Sequence, residues 1–373
     1  MKKILVIKLR HIGDVLLAAP VFQALKENFP QAHLSALVNS GTEDMLRGNP
    51  LIDELTVLDR SVKKLPKVKR YLKEALFLKK IRDAGFDMTV DLTGGDRAAV
   101  ISLISGARFR IGWKDKKGFA GKQRFYTHLS EPEHKRHTVL QNIDVVRHWG
   151  INTEDLSVDF FVPDTAASSA EDIFREAKAA SSSKVVHVHP TSRWLFKCWK
   201  DEYTAQIIKW LLSKGHTVAL TSSSEKKELE KARNILSLAG AHKNLIDLCG
   251  KTSLKQLGAI SEKSDLFFGV DSAPMHIAAA VGTPVVALFG PSGAFHWGPW
   301  DNAPAKTIQL QSPYEKRNGI QVFGRHTVIQ SDRDCVPCGK DGCGGSKISD
   351  CLYEITPKVV IKVLSEKLEG ARE

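Results

Sequence analysis

Short apolar runs alternate with segments of helical periodicity along the first third of the chain. The first run, KILVIK, is followed by a predicted turn at Gly13. Apolar positions then recur at helical spacing from Val15 onward and predict one helix that ends near Asn28. Further runs follow at HLSALV, ELTVL, DMTVDL and RFRIGW, with helical segments between several of them. This alternation predicts βαβ units around a parallel sheet.

A second alternating series begins at KVVHVHP and continues through HTVALTS, NLIDLCG, DLFFGV and PVVALFG. Helical periodicity lies between these runs, near residues 201–213, 225–238, 253–262 and 273–281. The stretch 162–183 between the two series is polar and rich in small residues, which is typical of a domain connection. We therefore predict an α/β protein with two doubly wound Rossmann-like domains facing a cleft. Their predicted bounds are 1–165 and 180–352, with a closing amphipathic helix over 356–370.

Charge is distributed unevenly. The net charge is +12, and residues 61–150 hold 20 Lys or Arg against 9 Asp or Glu. A basic surface of this kind indicates an anionic partner such as nucleic acid, anionic lipid or a phosphorylated glycan, or it is only a solvated face. We expect no signal peptide, because Lys8 and Arg10 interrupt the first apolar run.

The stretch 272–300 contains no Asp, Glu, Lys or Arg and on length alone could span a membrane. Four prolines and four glycines divide it into short pieces, so we expect no transmembrane segment. At its start, VDSAPMHIAAAVG (residues 270–282) predicts a strand end followed by a helix start, where free N–H groups and the helix dipole favour phosphate oxygens. His276 in the first turn can donate a further hydrogen bond.

A second loop supplies donors to the same predicted sheet edge. Thr191 and Ser192 follow a predicted strand directly, and Lys197 lies in the loop before the next helix. Together the two loops indicate a diphosphate site. Neither loop carries Gly-x-Gly-x-x-Gly or the P-loop sequence, which argues against a dinucleotide dehydrogenase and a P-loop NTPase. Asp14 raises a separate question, because it stands at a strand-to-helix turn either as a helix cap or as a catalytic carboxylate.

Several motifs together resemble the bacterial lipopolysaccharide heptosyltransferases. They are LRHIGDVLLAAP, HPTSRWLFKCW, GKTSL, VDSAPMHIAAAVGTPVVALFGPS and CVPCGKDGCGGSKISDCL. The resemblance runs over nearly the whole chain. It implies a GT-B fold, ADP-heptose as co-substrate, no required cofactor, and a heptosylated Kdo–lipid A acceptor at an anionic inner-membrane surface. Inverting transfer of the third inner-core heptose is the expected reaction, in a cytoplasmic protein bound peripherally to that membrane.

The resemblance also implies roles for single residues. Asp14 matches the general base, and Lys197 matches a group that neutralises charge on the departing ADP. The donor-binding positions it implies are Thr191, Ser192, Lys197, Glu225, Thr252, Asp271, Ser272, Ala273 and His276, where Ala273 replaces a glycine frequent in relatives and Glu228 competes with Glu225. The basic residues expected at the acceptor are Lys63, Lys64, Lys67, Lys69 and Arg70.

Four cysteines follow a Cys-x2-Cys-x4-Cys-x7-Cys spacing, at Cys335, Cys338, Cys343 and Cys351. Zinc favours such clustering, although the second pair is wider than usual for structural zinc. Free thiols that pack a glycine-rich loop are the expectation here, with structural zinc as the alternative.

Two other functions remain as alternatives. A related transferase could use another sugar or core position, since the motifs report on the diphosphate better than on the sugar. A nucleic-acid-binding protein could use the basic face, but aromatic residues do not interleave with the basic run and no RNA- or DNA-binding motif is present. We therefore expect no nucleic-acid partner.

Overall fold

The computed structural model describes residues 1–114, 118–133, 135–176, 184–305 and 312–369. These residues divide into two compact units. The first is built on Met1–Phe161, and the second on Val162–Pro304 and the described residues after 311. Among the described residues, no helix combines the length and the apolar composition needed to cross a membrane.

The first unit is a six-stranded parallel sheet in the order β3-β2-β1-β4-β5-β6. Its strands are β1 (Lys3–Lys8), β2 (His33–Asn39), β3 (Glu54–Leu58), β4 (Met88–Asp91), β5 (Phe109–Trp113) and β6 (His128–Ser130). Its α-helices are α1 (Ile12–Leu16), α2 (Ala19–Asn28), α3 (Lys67–Asp83), α4 (Asp96–Ile104) and α5 (Thr138–Arg147). Strands β1 and β4 lie side by side at the centre, so their carboxyl ends meet at one edge.

The prediction of a single helix from the turn at Gly13 to about Asn28 is wrong, because the segment forms two helices. Pro20 occupies the second position of α2, and it has no N–H to donate to the carbonyl of Leu16. The hydrogen-bond ladder is therefore interrupted there. The short α1 is left at the carboxyl end of β1, and it carries Asp14.

The second unit is a seven-stranded sheet in the order β12-β13-β11-β10-β7-β8-β9, parallel except where β12 pairs with β13. Its strands are β7 (Val185–His189), β8 (Thr217–Ser222), β9 (Leu245–Cys249), β10 (Leu266–Val270), β11 (Val285–Phe289), β12 (Ile320–Phe323) and β13 (His326–Gln330). Its helices are α6 (Asp164–Glu176), α7 (Asp201–Ser213), α8 (Lys226–Ala239), α9 (Leu254–Glu262), α10 (Ala273–Ala280), α11 (Ala294–Trp297), α12 (Asn302–Ala305), α13 (Asp350–Tyr353) and α14 (Pro357–Glu369).

Helices cover both faces of the second sheet. On one face α7, α8 and α14 pack over the buried side chains Val186, Val188 and Leu220. On the other face Ala166 and Ala170 of α6 pack with Ile260 of α9. The doubly wound arrangement predicted from the alternation is confirmed for each unit.

The expectation that residues 162–183 are only a connection is wrong for their first part. Asp164–Glu176 forms the helix α6, because its alanines and the apolar Ile173 and Phe174 recur on the face that meets α9. The small, polar residues that make up most of this segment gave no indication of the narrow apolar face. Residues 177–183 of the predicted connection lie outside the described residues.

Candidate active site

Asp14 lies on α1, directly after the central strand β1. Its carboxylate accepts a long hydrogen bond from the backbone N–H of His11, at 3.3 Å, and its side chain is half-buried. The contact satisfies one N–H group at the start of α1, so Asp14 does help to cap the helix. A long bond of this kind leaves most of the carboxylate's acceptor capacity for another group, and the two roles are compatible.

A buried cation lies beneath this turn. Lys8 is only 5% exposed, and its ammonium donates to the carbonyl of Leu92 at 2.9 Å and to Oδ1 of Asn142 at 2.8 Å. Burial lowers the pKa of Lys8 to about 8, an effect that the carboxylates of Asp14 and Asp91 oppose. The sequence did not indicate that Lys8 belongs to the site, because it is the last residue of an otherwise apolar strand.

Asp91 ends β4 and is fully buried beside β1. It accepts hydrogen bonds from the hydroxyl of Tyr126 at 2.5 Å and from the N–H groups of Thr93 at 2.7 Å and Gly94 at 3.2 Å. Burial raises the pKa of the Asp91 carboxyl, while these three donors oppose the rise. Asp91 therefore orders the loop after β4 next to the Asp14 turn. The pattern DMTVDL contains its only sequence signal, an acidic residue at a strand end.

In the second unit the structure brings Lys197 and Asp271 together. Lys197 comes from the turn after β7, and Asp271 follows β10 immediately. The ammonium of Lys197 lies 2.7 Å from Oδ2 of Asp271. The Asp271 side chain is 6% exposed, whereas the Lys197 side chain is 21% exposed. The cation is thus reachable from solvent while its carboxylate partner is held in the sheet edge.

The start of α10 lies beside this pair. Ser272 is the N-cap residue, and its buried Oγ has no hydrogen-bond partner among the residues that the structure describes. Ala273 and Pro274 begin the first turn, and His276, buried at 4% exposure, ends it. A helix start offers N–H groups without intrahelical acceptors, which suits an anion. The predicted residues Asp271, Ser272, Ala273 and His276 therefore share one end of one helix.

Thr191 and Ser192 lie at the end of β7 and are almost completely buried. Polar side chains within hydrogen-bond distance of one another form a line from the interior of the sheet to Thr191. Thr221 Oγ1 lies 2.7 Å from His187 Nε2 and 2.8 Å from His189 Nδ1, and His189 Nε2 lies 3.4 Å from Thr191 Oγ1. Burial lowers the pKa of His189 to about 3, so this imidazole is neutral. The line supports the loop that the predicted donor-binding hydroxyls occupy.

The remaining donor-binding predictions fall on neighbouring strand ends. Glu225 is exposed at the start of α8, whereas the competing Glu228 is buried at 6% exposure. Thr252 is half-buried between β9 and α9. Both lie at the same sheet edge as Lys197 and α10, because β7, β8, β9 and β10 are parallel neighbours.

The five predicted acceptor residues lie elsewhere, on the surface of the first unit. Lys63 and Lys64 belong to a short 3-10 helix, and Lys67, Lys69 and Arg70 to the first turn of α3. None of the five has an ion-pair partner within the described parts of the chain. Arg70 lies over the ring of Tyr71 at 5.2 Å.

The cysteine-rich segment holds four free thiols. Cys335 and Cys338 are exposed, while Cys351 is buried. Burial and the neighbouring Cys343 raise the pKa of Cys351 to about 11, so its thiol is protonated. No group of three or more His, Cys, Asp or Glu side chains among the described residues has an arrangement that could hold a metal ion.

Comparison with known proteins shows the family of the chain. Residues 75–320 match the model of glycosyltransferase family 9 (heptosyltransferase). Lipopolysaccharide heptosyltransferase 3 of Escherichia coli K12 is 33% identical over 300 residues, which are 78% of this chain and 83% of that protein.

Two solved structures share the fold over both units. A family 9 glycosyl transferase from Veillonella parvula has a TM-score of 0.79 at 21% identity, covering 99% of this chain and 97% of that one. ADP-heptose LPS heptosyltransferase II of E. coli has a TM-score of 0.75 at 20% identity, covering 100% of both chains. The predicted GT-B fold class is confirmed. This chain belongs to glycosyltransferase family 9, the heptosyltransferase family, and is a glycosyltransferase.

Proposed function

We propose that this chain transfers heptose from ADP-heptose to the inner core of lipopolysaccharide and adds its third heptose. The observation that carries the proposal is the 33% identity with a lipopolysaccharide heptosyltransferase 3, extending over four-fifths of both proteins. In this proposal ADP-heptose is a co-substrate, and the reaction needs no further cofactor. In this proposal the first unit, predicted from the sequence as residues 1–165, binds the acceptor, and the second unit, predicted as 180–352, binds the donor.

Asp14 is the proposed general base. During transfer the acceptor hydroxyl oxygen forms a bond to the anomeric carbon, and its proton moves to the Asp14 carboxylate. The bond from that carbon to the diphosphate breaks, and the electron pair leaves with ADP. The position supports this role because the carboxylate is half-buried and its hydrogen bond from His11 is long.

Lys197 and the start of α10 are the proposed diphosphate site. Negative charge increases on ADP as it leaves, and a nearby ammonium stabilises that charge. The Lys197 side chain is 21% exposed, and within the described residues its ammonium bonds to Asp271 alone. A phosphate oxygen can therefore share its remaining donors. Thr191, Ser192, Glu225 and Thr252 complete the donor site along the neighbouring strand ends.

The proposed acceptor carries sugar carboxylates and phosphates on a lipid. Lys63, Lys64, Lys67, Lys69 and Arg70 supply cations for these groups. The same helix, α3, also exposes an apolar stripe of Val68 (80%), Tyr71 (63%), Leu72 (61%) and Leu76 (58%). These four residues share one helical face. Basic residues beside an exposed apolar face are typical of a helix that lies on an anionic membrane surface.

This surface supports a peripheral location on the cytoplasmic face of the inner membrane. The apolar stripe would enter the headgroup region while the flanking lysines pair with lipid phosphates. A partner of this kind accounts for both the charge and the exposed apolar area, whereas a solvated surface accounts for the charge alone.

The proposed reaction can be tested with the purified chain, ADP-heptose and a set of truncated core acceptors, with products identified by mass spectrometry. Transfer only to an acceptor that already carries two heptoses supports the proposal. Transfer to Kdo–lipid A would assign the first heptose instead. Other ADP-sugars, offered in parallel, test the alternative donor, and Asp14→Asn is the control for background transfer.

A further inference from the structure

Arg10 lies in the turn between β1 and α1, four residues before Asp14. The residue is exposed, yet its guanidinium is held in one direction. Nε and Nη2 both donate to the carbonyl of Thr93, at 3.2 Å and 2.7 Å. An exposed arginine side chain without such bonds samples many rotamers. The structure therefore presents an oriented cation in the same turn as the proposed base.

Thr93, which accepts these bonds, is itself anchored to the central strands of the first unit. Its hydroxyl accepts from the N–H of Leu9 at 2.8 Å, and its N–H donates to Oδ1 of Asp91 at 2.7 Å. From the end of β2, the amide of Asn39 donates to the carbonyl of Arg10 at 3.4 Å. The ends of the three neighbouring strands β2, β1 and β4 therefore hold Arg10.

Part of the Arg10 guanidinium is available to a ligand. The group has five N–H donors, and two of them are used by the Thr93 carbonyl. The free donors include one N–H of Nη1 and one of Nη2 that point in the same direction. Arg10 has no ion-pair partner among the residues that the structure describes. This free edge matches the two oxygens of a carboxylate or the oxygens of a phosphate.

Lys8 is the other cation near this turn, and it is not available in the same way. Its ammonium is buried and donates to the carbonyl of Leu92 and to Asn142. Burial lowers the pKa of Lys8, the carboxylate of Asp14 opposes that effect, and the charge of Arg10 adds to it. The three charged groups therefore lie close to one another, and Arg10 is the cation of this turn that solvent reaches.

We propose that Arg10 binds an anionic group of the acceptor, a carboxylate or a phosphate ester next to the hydroxyl that reacts. The inference rests on the proposed function, which supplies an acceptor of this chemistry and Asp14 as its base. Arg10 and Asp14 follow the same strand end, so the anion that Arg10 binds lies near the reacting hydroxyl. The basic residues of α3 lie on another part of the surface and cannot read that position.

The test measures the KM of the acceptor, kcat, and the dissociation constant of ADP. Arg10→Gln is expected to raise the KM at least tenfold, while kcat stays within threefold and ADP binding within twofold. A loss confined to KM is the result expected when an interaction is made equally in the ground and transition states. The matched control is Arg108→Gln, an exposed arginine just before β5 and so at the opposite edge of the sheet, which should keep the parent's KM.

Two modified acceptors identify the anion. Phosphatase treatment removes phosphate esters, and methyl esterification neutralises sugar carboxylates. In the parent, one of these changes should raise the KM about as much as Arg10→Gln does. In Arg10→Gln the same change should alter the KM less than twofold, because the partner of the anion is already gone. If both changes raised the KM by equal factors in parent and variant, Arg10 would contact neither group and the inference would be overturned.

A lower melting temperature with the parent's KM would show that Arg10 only supports the loop after β4. Weaker ADP binding would mean that its partner belongs to the donor, and either result would also overturn the inference. Arg10→Lys is the second variant, for use if Arg10→Gln does not fold. It keeps the charge and a donor for Thr93 but loses the paired N–H groups, and its KM should rise at least threefold. A parent that transfers nothing from ADP-heptose would contradict the proposed function instead.

Discussion

Each unit places a lysine near a carboxylate at the carboxyl end of its central strands, but the two lysines differ in their surroundings. Lys8 in the first unit is 5% exposed and donates two hydrogen bonds inside the protein. Lys197 in the second unit has a side chain that is 21% exposed, and its ammonium bonds to the carboxylate of Asp271. Lys8 is part of the interior, whereas the ammonium of Lys197 can also bind a second anionic group.

This difference indicates how each site can respond to a ligand. Moving Lys8 would leave the carbonyl of Leu92 and the amide of Asn142 without their buried donor, which costs about 1–3 kcal/mol for each group. Lys197 can donate its remaining hydrogens to a phosphate while it keeps its bond to Asp271. The ammonium of Lys8 therefore holds the loop after β4 and helix α5 together near Asp14, whereas the ammonium of Lys197 is the one that we propose binds phosphate.

Asp14→Asn should have the largest effect of all. We expect turnover to fall about 10²- to 10⁴-fold, because a positioned base contributes that much. The affinity for ADP should stay unchanged, since the proposed nucleotide groups belong to the second unit. Asp44→Asn, at a 3-10 helix of the first unit, is the matched control and should keep full activity. An Asp14→Asn variant that melts lower but retains its turnover per folded molecule would mean that Asp14 is only a cap.

Lys197→Ala should weaken ADP binding about 10- to 150-fold, because charge-assisted hydrogen bonds contribute about 1.5–3 kcal/mol. Calorimetry measures the change directly. Lys200→Ala is the control, since this nearby ammonium lies over the rings of Tyr203 and Tyr353. If Lys197→Ala kept the ADP affinity of the parent, Lys197 would not be the cation that binds the phosphates of ADP.

His276→Ala extends the comparison to the helix start. It should weaken ADP binding by about tenfold, because it removes one donor from the first turn of α10. The melting temperature should be recorded as well, since His276 is buried. If stability falls while ADP affinity is unchanged, His276 supports the packing of α10 and is not a ligand for phosphate.

Replacing Lys63, Lys64, Lys67, Lys69 and Arg70 together by Gln should weaken binding to anionic vesicles by at least tenfold at low salt. Each basic residue near such a surface contributes about 1 kcal/mol, and salt screens it. The salt dependence should flatten, and ADP binding should stay the same. Leu72→Ser and Leu76→Ser together form a companion variant, expected to reduce vesicle binding at high salt as well. A five-residue variant with the parent's vesicle affinity would identify the segment as a solvated surface.

The smallest expected effect is a pH dependence that comes from Lys8. Its folded pKa of about 8 lies below the ordinary lysine value of 10.5, so the unfolded chain binds more protons between these values. The Lys8 contribution to the free energy of unfolding therefore rises with pH across this window, by about 1 kcal/mol between pH 8 and 9. Below pH 8 the cost of burying the charged ammonium is fully present.

This contribution is measured by plotting the free energy of unfolding against pH for the parent and for Lys8→Met and comparing the two slopes. The contributions of titrating cysteines are the same in both proteins and cancel in the difference. The charged groups that act on Lys8 are Asp14, Arg10 and Asp91. Identical slopes in the two proteins between pH 8 and 10 would show that Lys8 has an ordinary pKa and does not behave as an interior cation.

The alternation of apolar runs predicted most of the two parallel sheets, because a buried parallel strand is nearly uniformly apolar and its helices repeat at 3.6 residues. It did not predict β12 and β13. Their short segments, IQVF and HTVIQ, mix polar and apolar residues at one edge of the sheet, where pairing depends on a neighbour distant in the chain. The split at Pro20 had a clear local signal, since proline lacks the N–H that a continuous helix requires.

The sequence by itself determined the two series of strands and helices, the positions of Asp14, Lys197 and the α10 start at strand ends, and the concentration of basic residues in α3. These properties follow from local periodicity and from residue order. Only the tertiary structure decided that Lys197 bonds to Asp271, 74 residues away, and that Gly339 bonds to Pro291. It also decided that the cysteine-rich segment lines a cavity beside Lys197. Such contacts join residues distant in sequence, and the packing of the whole sheet, not any local pattern, selects which of them form.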